Sequence, residues 1–520
     1  MSYASTHTVG VIGVEGHVIS VQTHLSMGLP AFVVVGLPDT SVKESKDRLR
    51  AAMSSSGLSY PQGKNTVNLH PAELPKSGSG FDLAIAAAIL KAQHNSKTSK
   101  DRTTIYLGEL GLDGYVYPVK GALAAVLSAK KQGFTTVVVA QRNEKELSIL
   151  DDMSIVPVGT LHDLMAWLDI PVDKEMPHYP PASTLSYRSS DDDDHTTRSA
   201  FIADMGDVIG QYEAKKAIEI AAAGGHHVYL HGDPGCGKTL LARCLPGILP
   251  PLTKEQAIEV TAIHSMKALA DPSPSLIRQP PFVHPHYSTT LAAMIGGGSG
   301  IPRPGAVTLA HHGVLFLDEA PEFPRTILES LRLPLEHGSL TLHRARVSAR
   351  FPARFQLVLA ANPCPCSQAA SSQRMCQCRP HQKIRYAQKI SGPILDRIDI
   401  SCYMRTIKTT TAELGGIHER SSTVQQRVIE ARQRALLRWQ ELGVECNRDI
   451  PSSALRCGPA ALLPAVRAIV DEQIRKGVIS MRGADKIVRL SWTIADLAGH
   501  QQPEDSDLLQ AIAFYSKEER

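Results

Sequence analysis

Eight residues, Gly232-Asp233-Pro234-Gly235-Cys236-Gly237-Lys238-Thr239, carry the densest chemistry in the chain. The glycines permit a tight loop whose backbone N–H groups can cradle phosphates. Lys238 can then reach the β- and γ-phosphates of a nucleotide, and the Thr239 hydroxyl can ligate Mg²⁺. The apolar run from Val228 to His231 leads into the loop, and a helical stretch from Leu240 to Leu245 leaves it. A helix N-terminus at that point adds a favourable field for anions. ATP and Mg²⁺ are the expected cofactors, with Gly232 to Leu240 around the nucleotide.

Further on, Val314 to Leu317 is an apolar run that ends in Asp318-Glu319. Asp318 at the end of a buried strand would hold Mg²⁺, directly or through water, and Glu319 would polarise the attacking water. A second such run, Leu357 to Ala361, ends in Asn362-Pro363. The Asn362 amide would sit beside Glu319 and hydrogen-bond the water; an Asx turn before proline is the bland alternative. Cys364, Cys366, Cys376 and Cys378 then form a CxC, nine residues, CxC pattern. Four thiolates so close can surround a tetrahedral Zn²⁺, and with all four places filled the metal would be structural. Four free thiols are the alternative; within the metal reading, His381 is a candidate substitute ligand. A thioredoxin-type redox role lacks its βαβ context.

These side chains need a scaffold. Residues 201 to 405 alternate strand-like runs with helical stretches, which implies a parallel sheet covered on both faces. Residues 1 to 168 mix short apolar runs, such as Phe32 to Gly36 and Thr136 to Ala140, with helical stretches such as Ser41 to Met53. That pattern indicates an α/β or α+β domain. Residues 169 to 200, with prolines, serines and Asp191 to Asp194, are an expected linker. Residues 406 to 520 show helical periodicity, notably Val424 to Leu442 and Ala484 to Leu497, and are an expected helical lid.

Composition narrows the class. The 520 residues are 43% hydrophobic and 20% charged with a formal charge of +4, so any nucleic-acid contact needs a local patch and not a global field. No run of about 20 apolar residues exists to span a bilayer, so no membrane partner is expected. The N-terminus lacks a basic-then-apolar leader pattern, and the nine cysteines are clustered and odd in number. A reducing cytoplasm is the expected location.

The loop, the Asp-Glu pair and Asn-Pro, in that order, resemble the AAA+ ATPases. Ser391-Gly392-Pro393-Ile394-Leu395-Asp396-Arg397 resembles the segment that carries the arginine finger in the minichromosome-maintenance and magnesium-chelatase branch. The resemblance implies that Arg397 reaches a neighbouring subunit's site, where a guanidinium can stabilise charge on the γ-phosphate. A surface salt bridge is the alternative. Ser480-Met481-Arg482 resembles the sensor-2 position, which implies a γ-phosphate contact from Arg482 in its own chain, with Arg489 as runner-up. In such ATPases Gly206 to Gln211 lines the adenine pocket, which makes Gln211 a candidate; a helix N-cap explains Asp207 equally well.

Glu336 to Arg344 reads as the start of a β-hairpin with Arg344 and Arg346 near its end. With the insert Gly296 to Gly305, it resembles the helix-2 insert and pre-sensor-1 hairpin of AAA+ rings. Together with Gly36 to Asp39, Pro75 to Asp82 and Thr493 to Leu497, the chain is similar to the ComM/YifB family of magnesium-chelatase-like proteins along nearly its whole length. That resemblance implies a Lon-protease-like front domain and ATP-driven DNA branch migration by a hexameric ring, with Arg344 and Arg346 on DNA. Arginines there would grip phosphates with little sequence preference. Against the Lon motif, Gly80 falls at the nucleophile position and Leu123 at the base position. The front domain is therefore an expected scaffold, with a shifted Ser79–Lys120 dyad as the alternative. A chelatase-like or chaperone-like motor acting on a protein partner is the second functional class, and DNA stimulation of ATP hydrolysis separates the two.

Overall fold

The computed structural model describes residues 2–76, 78–96, 102–171, 202–267, 276–298, 302–344, 347–366, 376, 378–406 and 419–515. Arg346, Ser77 and nearly all of the expected linker lie outside the described residues.

The chain opens with a long antiparallel hairpin, β1 (Ser2–Ile12) and β2 (Glu15–Ser26), followed by β3 (Ala31–Val35) and β4 (Lys64–His70). These form one sheet in the order β1-β2-β4-β3, with β3 parallel to β4. Helix Thr40–Ser55 joins β3 to β4, and the Asp39 side chain caps it by accepting from the Val42 N–H at 2.8 Å. Helix Asp82–His94 is alanine-rich and buried from Asp82 to Ala92 against that sheet. Next come β5 (Thr104–Leu107), the two-residue ladder of β6 (Glu109–Leu110) and β7 (Val116–Tyr117), then β8 (Thr136–Ala140) and β9 (Ser154–Val158). Strands β5, β8 and β9 form a parallel sheet, so this part of the chain is α+β.

The second region contains β10 (Val228–Gly232), β11 (Phe282–Val283), β12 (Val314–Leu317), β13 (Ser339–Arg344), β14 (Val347–Pro352), β15 (Gln356–Ala361) and β16 (Ile400–Met404). Five of these are parallel, in the order β11-β12-β15-β10-β16. Strands β13 and β14 form the expected hairpin outside that sheet. Every residue of β12 and β15 is buried. A strand covered on both faces must be apolar throughout, which is why both read as unbroken runs. Parallel pairing puts the C-terminal ends of all five strands on one edge, where ligands of open α/β sheets bind. Because β15 lies between β10 and β12, the loops leaving these three strands are neighbours.

The C-terminal part is helical. Helix Ser421–Arg438 and helix Met481–Ala498 share one apolar cluster with the helix that follows the glycine-rich loop, Lys238–Ile248, including Leu241, Leu245, Val428 and Leu490. Trp439 and Trp492 meet edge to face at 5.1 Å. Arg438 lies over the Trp492 ring at 4.6 Å and pairs with buried Asp496 at 2.7 Å. Such aromatic and cation–π contacts are worth roughly 0.5–2 kcal/mol each beyond area burial. The front domain docks on the same body. Ile12 joins the cluster of Ala349 and Phe351 in β14, and Ala262 joins that of Leu123 and Val126. Among the described residues, no helix is long and apolar enough to cross a membrane.

Candidate functional site

The glycine-rich loop leaves β10 with three glycines at positive φ: Gly232 at 147°, Gly235 at 75° and Gly237 at 93°. Gly232 is required by contact as well as by conformation, because a Cβ there would lie 2.0 Å from the Met404 carbonyl oxygen. Among the described residues beyond the chain neighbours, no heavy atom lies within 4 Å of the Cβ position at Gly235 or Gly237, which leaves backbone and open space for a phosphate. The Lys238 ammonium is buried and donates to the carbonyls of Gly232 (2.8 Å) and Asp233 (2.7 Å) and to Asn362 Oδ1 (3.0 Å). Cys236 sits in the loop with its Sγ 3.7 Å from that ammonium, and burial raises its thiol pKa. Thr239 Oγ1 donates to Asp318 Oδ2 at 2.6 Å, which brings together the two oxygens that would hold Mg²⁺. This donor set fits a magnesium–triphosphate: a cation for the phosphates, hard oxygens for the metal, and a loop opened by glycines at 232, 235 and 237.

Asp318 and Glu319 follow β12 as expected. The Glu319 N–H donates to Asp318 Oδ1 at 2.9 Å, and Glu319 stands at φ 51°, in the left-handed region. That conformation costs a non-glycine residue about 1–2 kcal/mol and concentrates at working sites. Asn362 follows β15 and joins the same cluster through Lys238. Gln211 Nε2 donates to the carbonyls of Cys236 (3.1 Å) and Arg405 (2.7 Å), so it braces the loop against the end of β16. Asp207 is not the N-cap itself: Asp204 caps the short helix Met205–Asp207, and Asp207, three residues on, accepts from the Asp204 N–H to close a capping box. Asp233 takes the Met404 carbonyl at 3.1 Å through its N–H; Pro234 and Leu240 complete the loop and first helical turn.

The structure does not bring Arg397 or Arg482 to that cluster. Arg397 lies just before β16, at the N-terminal edge of the sheet, opposite the edge where β10 delivers Lys238. Its side chain is 11% exposed, and its guanidinium pairs with Glu336 Oε2 at 2.6 Å and donates to the Pro393 carbonyl at 2.8 Å. Arg482 is exposed in the first turn of helix Met481–Ala498, and its charge is felt at Glu336 and Tyr515. The expectation that Arg482 serves the phosphate of its own chain is therefore corrected: it belongs to the Arg397 edge. Arg489, the runner-up, is committed to the Ile450 carbonyl at 2.9 and 2.7 Å.

Around this edge lies a buried polar network that sequence reasoning missed. His226 and His227 precede β10, and Asp399 precedes β16. Asp399 Oδ2 accepts from the His227 N–H at 3.1 Å and lies 3.5 Å from His226 Nδ1. His226 Nε2 meets Thr493 Oγ1 at 2.8 Å, and Lys486 donates to the Ile398 carbonyl at 2.6 Å. The paired histidines at 226–227 are visible in the sequence, but nothing local says that they face a lid helix.

The four cysteines converge. Sγ–Sγ separations are 3.2 Å (Cys364–Cys366), 3.4 Å (Cys364–Cys376) and 3.5 Å (Cys366–Cys376), and all four, Cys378 included, lie within 4.8 Å of one another. Burial pushes the Cys364 thiol up to about 12. His381 is exposed, and the metal-competent group comprises the four thiols without it. A second group, Glu259, His311 and His312, fits metal poorly. His311 Nδ1 accepts the Arg354 N–H at 3.0 Å, so its Nε2 carries the proton and donates to Glu259.

Arg344 ends β13 at an exposed position, and its Nη2 lies 3.4 Å from a Cβ built on Gly297 of the insert. The insert is itself closed by reciprocal Gly297–Arg303 backbone bonds at 3.2 and 2.9 Å. In the front domain, Leu123 is buried in helix Ala122–Lys131. The Ser79 hydroxyl donates to Glu109, and Lys120 is exposed.

A parallel sheet with this loop, the Asp-Glu pair and the neighbouring asparagine defines a P-loop ATPase core of the AAA+ kind. Residues 204–412 match the family described as magnesium chelatase, subunit ChlI; residues 21–143 match subunit ChlI of Mg-chelatase; and residues 418–515 match its C-terminal part. The chain is 43% identical over 518 residues to an uncharacterized protein of Mycobacterium tuberculosis, covering 99% of each. It is 39% identical over 518 residues to the uncharacterized protein YifB of Escherichia coli (99% of this chain, 97% of the other). It is 35% identical over 520 residues to the competence protein ComM of Haemophilus influenzae, with the same shares. A stretch covering 27% of each chain is 36% identical to Lon protease 2 of Bacillus subtilis. The chain belongs to the magnesium-chelatase-like AAA+ family that includes YifB and ComM.

Proposed function

We propose that this protein is an ATP-driven, ring-forming motor that moves branched DNA, in the cytoplasm, and that its four-thiol cluster holds a structural zinc ion. The observation that carries the motor reading is the split of the ATP machinery between two edges of one sheet. Lys238, Thr239, Asp318 and Asn362 lie on one edge, and Arg397 and Arg482 lie on the other. Such a chain completes its site only beside a copy of itself, and head-to-tail contacts of that kind close into rings. We assign six chains to the ring and the Arg397 edge to the neighbour's γ-phosphate.

In this reading Lys238 holds the β- and γ-phosphates, and Thr239 and Asp318 hold Mg²⁺, which supplies charge neutralisation on the phosphate oxygens. Glu319 orients the attacking water and accepts its proton. Asn362 holds that water from the far side. The hairpin β13–β14 with Arg344, and Arg346 beyond the described residues, contacts DNA phosphates. The competence name of ComM favours DNA over a protein client. The front domain acts as a scaffold, supported by Gly80, Leu123 and the Ser79–Glu109 bond.

The test is branch migration of a synthetic four-way junction by wild type, Lys238→Ala and Arg344→Ala. ATP-dependent movement should vanish in the first and weaken in the second. Equal movement in all three would end the motor assignment, and ATP hydrolysis stimulated by a protein client but not by DNA would move it to the chaperone class.

A further inference from the structure

We propose that the four-cysteine centre is the strut that sets Asn362, so that a zinc ion bound there holds the hydrolysing side of the ATP site in place. The inference rests on the zinc reading above and goes beyond a merely structural metal.

The cage has the right size. Zinc–sulfur bonds of about 2.3 Å in a tetrahedron require sulfurs about 3.8 Å apart. Three observed separations are 3.2–3.5 Å and all fall below 4.8 Å, too long for disulfides and close to a tetrahedral set. The centre is also tied to the site by covalent chain. Strand β15 ends at Ala361, so no sheet ladder fixes the next residue. Asn362 is that residue, and it receives the Lys238 ammonium at 3.0 Å. Pro363 follows with a restricted φ and no N–H. Cys364, buried at 1% exposure, is next. The turn that carries Asn362 is therefore fixed at one end by the sheet and at the other by the thiol cluster.

A second connection runs from the other pair. Cys376 and Cys378 lead into helix Pro380–Ala387, which carries buried Tyr386. Lys389, just beyond that helix, lies over the Tyr386 ring at 5.2 Å and pairs at 3.3 Å with Glu322, three residues after Glu319. The cluster thus reaches both the Asn362 turn and the loop that follows the Glu319 carboxylate. Asn362 would touch the reacting water, whereas the cysteines act through it and are positioning residues.

The experiment uses the full chain, purified without chelator, with metal measured by plasma mass spectrometry. One zinc per chain is expected. Cys378→Ser lies fourteen positions from Cys364 and leaves the Asn362 turn chemically intact. It should lose zinc and slow ATP turnover roughly tenfold to hundredfold, as supporting contacts around metal sites do. Binding of a fluorescent ATP analogue should stay within about threefold, because Lys238 and the loop remain. Cys378→His, which still ligates zinc, should keep both metal and turnover. If Cys378→Ser does not fold, wild type stripped by a mercurial reagent and chelator takes its place, and turnover should fall on stripping and return with added Zn²⁺. Wild type without zinc would remove the zinc reading. A zinc-free but folded protein with wild-type turnover would leave that reading intact and overturn the strut.

Discussion

Lys238 is held by two carbonyls and an amide oxygen of its own chain, and its charge reaches back along β10 to His231. That histidine stacks on Tyr229 at 5.0 Å and meets Tyr403 edge-on at 5.2 Å. Burial, then the Lys238 charge, lowers its pKa to about 4, and burial likewise lowers the values of His226 and His227. A histidine whose folded pKa lies below its unfolded value near 6.5 is protonated first in the unfolded chain. The unfolded state then binds more protons, so stability is complete above about pH 6.5 and is lost as pH falls toward the folded values. The thermal midpoint should therefore decline steadily from about pH 6.5 to about pH 4. His231→Phe, which keeps the stacked ring, should shallow that decline while changing the midpoint at pH 7.5 little. Calorimetry across this range checks it, and a variant as steep as wild type would show that His231 does not titrate on unfolding. At this scale much was legible. Lys238, Thr239, Asp318 and Asn362 carry their chemistry in type and spacing, whereas the Asp399 network and the Glu336–Arg397 pair join residues far apart in sequence with no local pattern.

Glu336 stands at the end of helix Arg332–His337, one residue before the helix stops and two before Gly338 turns the chain at φ 64° into the hairpin. Its carboxylate, 55% exposed, holds the mostly buried Arg397 guanidinium. The proposed DNA-gripping hairpin and the proposed finger are therefore one ion pair apart. With its carboxylate open to solvent, such a pair is weak enough to be broken in each cycle. Glu336→Gln should free Arg397, raise ATP hydrolysis without DNA a few-fold, and shrink the stimulation that DNA gives. Turnover with and without a DNA junction measures this; a fall in both would mean that Glu336 aims the arginine rather than restrains it. Elements were legible where burial made the pattern clean, as in β12, β15 and helix Met481–Ala498. The β1–β2 hairpin was not, because its inward face includes Thr6, Thr8 and Thr23, all fully buried. Thr6 satisfies its hydroxyl on the Ala84 carbonyl at 2.9 Å, so a core face looked polar in the sequence.

The described parts of the chain pack on one another through shared apolar clusters, and in the reading proposed above a neighbouring copy completes the Lys238 site. The front hairpin buttresses β14, where a Cβ on Gly13 would lie 3.1 Å from Ala349 Cβ, and the C-terminal helices share their apolar cluster with the P-loop helix. Both attachments brace the sheet, yet the arginines stay on the edge opposite Lys238. Five residues of strand separate those edges in β10, which at about 3.3 Å per residue is too far for a side chain to bridge. Lys238→Ala and Arg397→Ala should each abolish ATP turnover, for different reasons: one chain cannot hold the phosphates, the other cannot complete its neighbour. Mixed in equal amounts and allowed to exchange, they should recover activity, since roughly a quarter of the contacts in a closed ring then join an intact Lys238 to an intact Arg397. Recovery should rise with protein concentration, because the competent site exists only between chains. Silence in the mixture, with exchange verified by differently labelled chains in one assembly, would place the finger in its own chain and remove the physical basis for a ring.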